Sequence, residues 1–234
     1  MNTLLDNLVA FPLFGLTLTV AGYYLGMRLY RTAGFSMFPP VVLGIVSVVL
    51  TLMLFGISYA QYYASARFLH ELLGIVTVAL AIPLYQHARR IRRLFLPILC
   101  TVLVGGTLSV LSMLVVLWAF DVNTGTLLSS ATKSITTPIA LIVSDQIGGI
   151  PALSAMIVLI TGVMGAMIGI PLMHRLGIRD PGVKGLTLGI TAHALGTAKA
   201  LEEGEECGAF AALAMGLTGL LTALILPLCF DWLS

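Results

Sequence analysis

A lysine set deep inside an apolar run is the first residue here whose type could do chemistry. From Thr126 to Ser154 the sequence is TLLSSATKSITTPIALIVSDQIGGIPALS. As a helix, this stretch puts Ser130, Lys133, Ser134 and Thr137 at i, i+3, i+4 and i+7, so one cation and three hydroxyls share a face. Lys133 then lies about 10 Å in from Leu127, at ~1.5 Å per residue. A lysine at membrane depth costs about 2.5–3.5 kcal/mol on insertion scales, so something should offset it. A point charge beside hydroxyl donors suits a carboxylate. Snorkelling of the lysine stem towards an interface is the structural alternative, but it has no use for Ser134 or Thr137.

Neighbouring residues extend the candidate site. Thr136 and Thr137 stand directly before Pro138, so each hydroxyl can serve a carbonyl freed by the proline or a ligand. Gly148, Gly149 and Pro151 form a backbone corner that shapes the site. A second polar segment, Gly185–Ala200 (GLTLGITAHALGTAKA), puts His193 near mid-depth, Thr197 one turn on and Lys199 beyond. An imidazole ordinarily titrates near neutrality, so His193 fits substrate binding or a proton shuttle as well as a structural histidine bonded to backbone. Lys199 fits a cap or snorkel as well as a substrate contact. The substrate-binding set is therefore Lys133, Ser134, Thr136, Thr137, His193, Thr197 and Lys199.

The elements that must position these residues are membrane helices. The chain is 59% hydrophobic and 9% charged, against about 25% charged for an ordinary soluble domain. That predicts an all-α polytopic protein, one integral membrane domain over 1–234, with about seven or eight transmembrane segments. The expected spans are Leu8–Met27, a second opened by Pro39-Pro40 and running to about Ser58, then Phe68–Tyr85, Leu94–Phe120, Ile150–Met173 and Ala209–Phe230, with the two polar segments among them. Arg28 and Arg31 after the first span, with only Asp6 before it, put the N-terminus outside. Tyr59, Tyr62 and Tyr63 suit an outer interfacial belt, and His87–Arg93 a cytoplasmic loop. That basic run could also meet anionic membrane lipid. Leu127–Val143 either crosses or re-enters; Pro138 and the Gly148-Gly149 turn favour re-entry. Glu202–Glu206 looks like a solvated loop.

Pro83 marks a second broken helix. It stands 55 positions before Pro138, and Leu96-Pro97-Ile98-Leu99 is echoed by Ile150-Pro151-Ala152-Leu153. Paired interrupted helices in two halves point to inverted repeats and a transporter site, with units of about 68–120 and 127–173. Gly162, Gly165 and Gly169 allow close helix approach, and Gly-rich faces of this kind also fit a homodimer. Nothing suggests a cofactor or metal: there is no phosphate-cradling glycine loop and no paired cysteines. No nucleophile stands with a base, which points away from an enzyme. A formal charge of +2, with the basic residues in short loops, points away from nucleic acid.

The motifs KSITTPIA, GGIPA, VALAIPLYQ and GITAHALGTAKALEEGEECGAFAALAMGLTGLLTALILP resemble the LrgB/CidB (YohK-like) family of membrane proteins. The likeness covers nearly the whole chain and is densest from Leu72 to Pro227. It implies a multi-pass protein of the bacterial inner membrane, paired with a smaller LrgA/CidA-type membrane protein. It also implies one of two roles: antiholin-like modulation of murein hydrolases and autolysis, or carriage of small carboxylates. The second follows plastid glycolate/glycerate carriers and bacterial pairs linked to pyruvate. The lysine–hydroxyl stripe favours a carrier for the pyruvate, glycolate and lactate class, coupled to protons.

Overall fold

The computed structural model describes residues 11, 13–32 and 40–231, and among them it is all-helical. Met1–Ala10 and Pro39, on which the outward N-terminus and the start of the second span rest, lie outside the described residues. Backbone contacts divide the chain into two compact units, Met1–Ala79 and Leu80–Ser234. By length and composition, three helices among the described residues can cross a membrane: Phe95–Ala119, Pro151–Arg175 and Glu205–Phe230. Pro40–Phe55 is apolar but shorter. The seven or eight crossings expected from hydropathy do not emerge as straight helices.

The N-terminal unit is α1 (Phe14–Thr32), α2 (Pro40–Phe55) and α3 (Tyr59–Ala79). Gly22 and Gly26 let α1 approach α2; a methyl at Gly22 would lie 2.7 Å from Val48 Cγ2. The helix α3 begins nine residues before the expected Phe68. Ser58 and Gln61 form a reciprocal cap, with Ser58 N donating to Gln61 Oε1 at 2.9 Å and Gln61 N to Ser58 Oγ at 3.3 Å. That cap draws the tyrosines into the helix, where Tyr62 Oη meets Thr19 Oγ1 at 2.7 Å.

The C-terminal unit opens with two six-residue helices, α4 (Ala81–Gln86), which holds Pro83, and α5 (Ala88–Arg93). The long α6 (Phe95–Ala119) follows. Next come α7 (Thr124–Ala131), α8 (Thr137–Gln146) and α9 (Pro151–Arg175), then α10 (Pro181–Glu203) and α11 (Glu205–Asp231).

The pair α7 and α8 doubles back. Ser129 Oγ accepts the Ile150 amide at 2.7 Å, and a methyl on Gly149 would lie 3.0 Å from Ser129 N. The base of the hairpin is thus the meeting of 125–129 with 148–150, and its tip is Thr132–Thr136. Ser154 Oγ, bonded to Ser129 O at 3.0 Å and Ser144 Oγ at 2.7 Å, ties α9 to both arms. Gly148 takes the left-handed conformation at φ 81° that the corner requires.

The helix α10 doubles back as well. Lys184 Nζ meets Glu203 Oε2 at 3.3 Å, although a straight helix would hold them about 28 Å apart. The turn is His193, at φ 41° and ψ −127°, and Gly196 packs against the Leu188 carbonyl of the opposite arm. Gly185–Ala200, expected to run as a short span, is therefore a hairpin. The two bases lie at opposite ends of α9, whose 25 residues are about 37 Å long. Ile150 leaves the first base, and His174 reaches the second, where its Nε2 accepts from Lys184 Nζ at 2.7 Å.

Candidate functional site

At the tip of the first hairpin the helix stops. Continuing it would require Pro138 to donate to the Ser134 carbonyl, and proline has no N–H to give. Thr132 Oγ1 instead bonds Ser129 O at 2.8 Å, and single turns run from Lys133 N to Ser130 O and from Ile135 N to Thr132 O. Thr136 is the N-cap of α8 and Pro138 its second residue, a position where a missing N–H frees no carbonyl. The helical stripe of Ser130, Lys133, Ser134 and Thr137 is accordingly corrected. Ser130 lies in the last turn of one helix with its hydroxyl on Thr126 O, Lys133 and Ser134 lie in the turn, and Thr137 starts the next helix.

This break turns Lys133 inward. Its Nζ donates to Ser109 Oγ on α6 at 2.6 Å and to Ser134 Oγ at 3.1 Å, and the two hydroxyls stand 3.3 Å apart. No carboxylate pairs with Lys133 among the described residues. Ser134 is 3% exposed and Lys133 half-buried. Ser109 lies ten residues from the end of α6 at Ala119, about 15 Å along a helix of about 37 Å. The ammonium therefore sits beside the middle of α6, with only neutral partners among the described residues. The amides of Thr137 and Ile139 precede the first rung of α8, Ala140 N to Thr136 O, and add donors at that helix start.

At the second tip, His193 is 4% exposed and its Nε2 donates to the Val158 carbonyl of α9 at 2.9 Å, which leaves Nδ1 as the acceptor in the neutral ring. Thr197 Oγ1 donates to His193 O at 2.9 Å and touches Met215 Sδ at 3.7 Å. A methyl at Gly162 would meet the imidazole at 2.5 Å, and one at Gly165 would meet Ala192 at 2.5 Å. The expected glycine stripe thus seats the hairpin tip on α9.

The two tips approach one another through shared neighbours. Val158 packs among Ala131, Ile135 and Ala140 of the first hairpin while its carbonyl takes the His193 proton. On α6, Ser109 binds Lys133 and Gly105, one turn earlier, faces Ile190. Lys199 is not brought to this place: its Nζ is paired with Glu202 at 2.7 Å near the second base. Gly148, Gly149 and Pro151 sit at the first base, away from the tip, and Pro83 sits in α4. Ser109 escaped the sequence reading, although a serine in the middle of an otherwise apolar span was the available sign.

The second base is polar. Arg90 bridges Asp180 at 2.7 Å and Glu206, and its guanidinium lies 5.6 Å from the Phe210 ring centre. Asp180 caps α10 by accepting the Val183 amide at 3.0 Å; that amide and Arg90 hold its carboxyl below the usual range. The acidic run 202–206, expected as a solvated loop, is largely exposed as expected, and it also supplies partners for Lys199, Lys184 and Arg90. A separate cavity of about 320 Å³ between α6 and α11 is lined mainly by apolar residues such as Leu111, Leu114 and Ile225, and none of the expected site residues lines it.

Comparison with known proteins identifies the family. A protein of Bacillus subtilis named uncharacterized protein YxaC is 37% identical over 211 residues, covering 90% of this chain and 92% of its own. Proteins named antiholin-like protein LrgB in Bacillus cereus and Bacillus anthracis are each 30% identical over 224 residues, covering 95% of this chain and 97% of their own. No solved structure matches. The profile of the LrgB-like family matches residues 19–232, so the chain belongs to that family, multi-pass membrane proteins of bacteria.

Proposed function

We propose that this protein carries small monocarboxylates of the pyruvate, glycolate and lactate class across the membrane, through a site at Lys133. The observation that supports the reading is an ammonium beside the middle of α6, held by Ser109 and Ser134 and, among the described residues, by no carboxylate. A bound carboxylate offsets the cost of that charge, accepts from the lysine and the hydroxyls, and lies close to the open amides of α8. In this reading α7 and α8 are a re-entrant pair, since broken backbone at membrane depth persists only where it lines a cavity or is buried in protein. His193 serves as the proton-carrying member of the second tip, through Nδ1, the ring nitrogen that Val158 leaves free to accept. The test is flux of labelled pyruvate, glycolate and lactate into proteoliposomes of the purified chain. Lys133→Ala should abolish uptake in a protein that remains folded; undiminished uptake removes the site.

The relatives named antiholin-like proteins favour a second reading, in which the chain regulates murein hydrolase activity and autolysis together with an LrgA/CidA-type partner. Carboxylate uptake by the purified chain without any partner would make that role secondary. Absence of uptake until such a partner is co-reconstituted would make the pair the working unit.

A further inference from the structure

The two hairpins correspond position by position. Asn123 caps α7 by accepting the Thr126 amide at 2.9 Å, and Asp180 caps α10 by accepting the Val183 amide at 3.0 Å. From 123 to 180, from 126 to 183 and from the hairpin's end at 146 to that at 203, the step is 57 residues each time. The same step carries Ala140, which clusters with Val158, onto Thr197, which touches Met215. Each hairpin is followed by a long helix, of 25 residues in α9 and 27 in α11. The directions are opposite, because α9 runs from the first base to the second. The helix α11 starts beside the second base, where Arg90 joins Glu206 to Asp180, and its Gly219 reaches Ile139 of the first hairpin. Pro83 in α4 takes no part in this correspondence.

The step of 57 carries Lys133 onto Ile190. Both face the same side of α6, Lys133 through Ser109 and Ile190 through Gly105, one helical turn apart. One tip therefore brings a charge and the other, at the equivalent place, a buried hydrocarbon.

We propose that residues 123–175 and 180–231 are inverted-topology repeats, and that Ile190, the counterpart of Lys133, restricts the site to ligands with a single negative charge. The ammonium holds one carboxylate, and the Ile190 side chain meets the short apolar body of the same molecule. A second carboxylate there would lie against hydrocarbon without a partner, which is strongly disfavoured. The selectivity rests on the carrier reading above, while the repeat does not.

Two measurements test it. In a background with Cys100, Cys207 and Cys229 replaced by alanine, Thr124→Cys and Arg179→Cys are labelled with a membrane-impermeant maleimide in right-side-out and inside-out vesicles. Labelling from opposite faces is expected, and labelling from the same face overturns the repeat whatever the flux. Succinate is then tested as a competitor of pyruvate uptake. It should compete at least tenfold more weakly than unlabelled pyruvate, and Ile190→Lys should narrow that gap about tenfold. If Ile190→Lys does not give monodisperse protein, Ile190→Gln should narrow it about threefold. A folded variant that keeps the parent's discrimination overturns the role of Ile190. Opposite-face labelling in a protein that carries no monocarboxylate leaves the repeat standing and removes the selectivity together with the carrier.

Discussion

The imidazole of His193 donates to the carbonyl of Val158, so a backbone oxygen in one membrane-length helix anchors the tip of a hairpin entering from the other end. That bond exists because α9 has no side chain at Gly162, where a methyl would lie 2.5 Å from His193 Cε1. Gly162→Ala is therefore expected to cost about 1–3 kcal/mol, the usual range for overpacking, and to lower the melting temperature in detergent. An unchanged melting temperature would show that the ring has room to move.

Removing the Ser109 hydroxyl tests how Lys133 is held. Ser109→Ala deletes one charge-assisted hydrogen bond, worth about 1.5–3 kcal/mol. The carrier reading expects KM for pyruvate to rise roughly tenfold or more, with the melting temperature little changed. A large fall in stability with unaltered KM would mark the serine as structural.

At the first base, Ser129→Ala leaves the Ile150 amide without its acceptor and breaks the join between hairpin and helix. The cost of such an orphaned group is about 1–3 kcal/mol. Hydrogen exchange at Ile150 should quicken, while exchange at the second base should not.

The second base should respond to acid. The Asp180 carboxyl titrates lower when folded than when unfolded, held down by the Val183 amide and Arg90. The stability it contributes is present above the unfolded value near 3.9 and is lost as pH falls through the folded one. A melting-temperature profile should therefore drop below about pH 4, and Asp180→Asn should flatten that drop. Because Asp180 is part-exposed, the effect should also weaken in high salt.

Membrane class was legible, and Lys133 and His193 stood out as polar residues inside apolar segments, because apolar runs and misplaced polar residues are local facts. The long α6, α9 and α11 could also be read from their length. The stripe of Ser130 and Thr137 was not, because it assumed a continuous helix where Pro138 begins a new one. The reversal at His193 left no mark in hydropathy; it depends on a left-handed histidine and on Gly196 lying against Leu188. Nor could Val158 be foreseen, since its contribution is a carbonyl that every residue owns. The acidic run 202–206 is solvent-facing as read, but its ion pairs were not legible because the partners Arg90 and Lys184 come from distant positions.

The arms of the α10 hairpin, twelve residues before His193 and ten after it, bear on how the chain is made. Neither is long enough to leave the translocon as an independent span of about 20 residues. The segment must wait, partly hydrated, until α11 emerges and the glycines of α9 and α10 find their partners. The hairpin then closes only once α11 has been made, and ribosomes stalled before Glu205 should hold a chain whose hairpin is still open to protease.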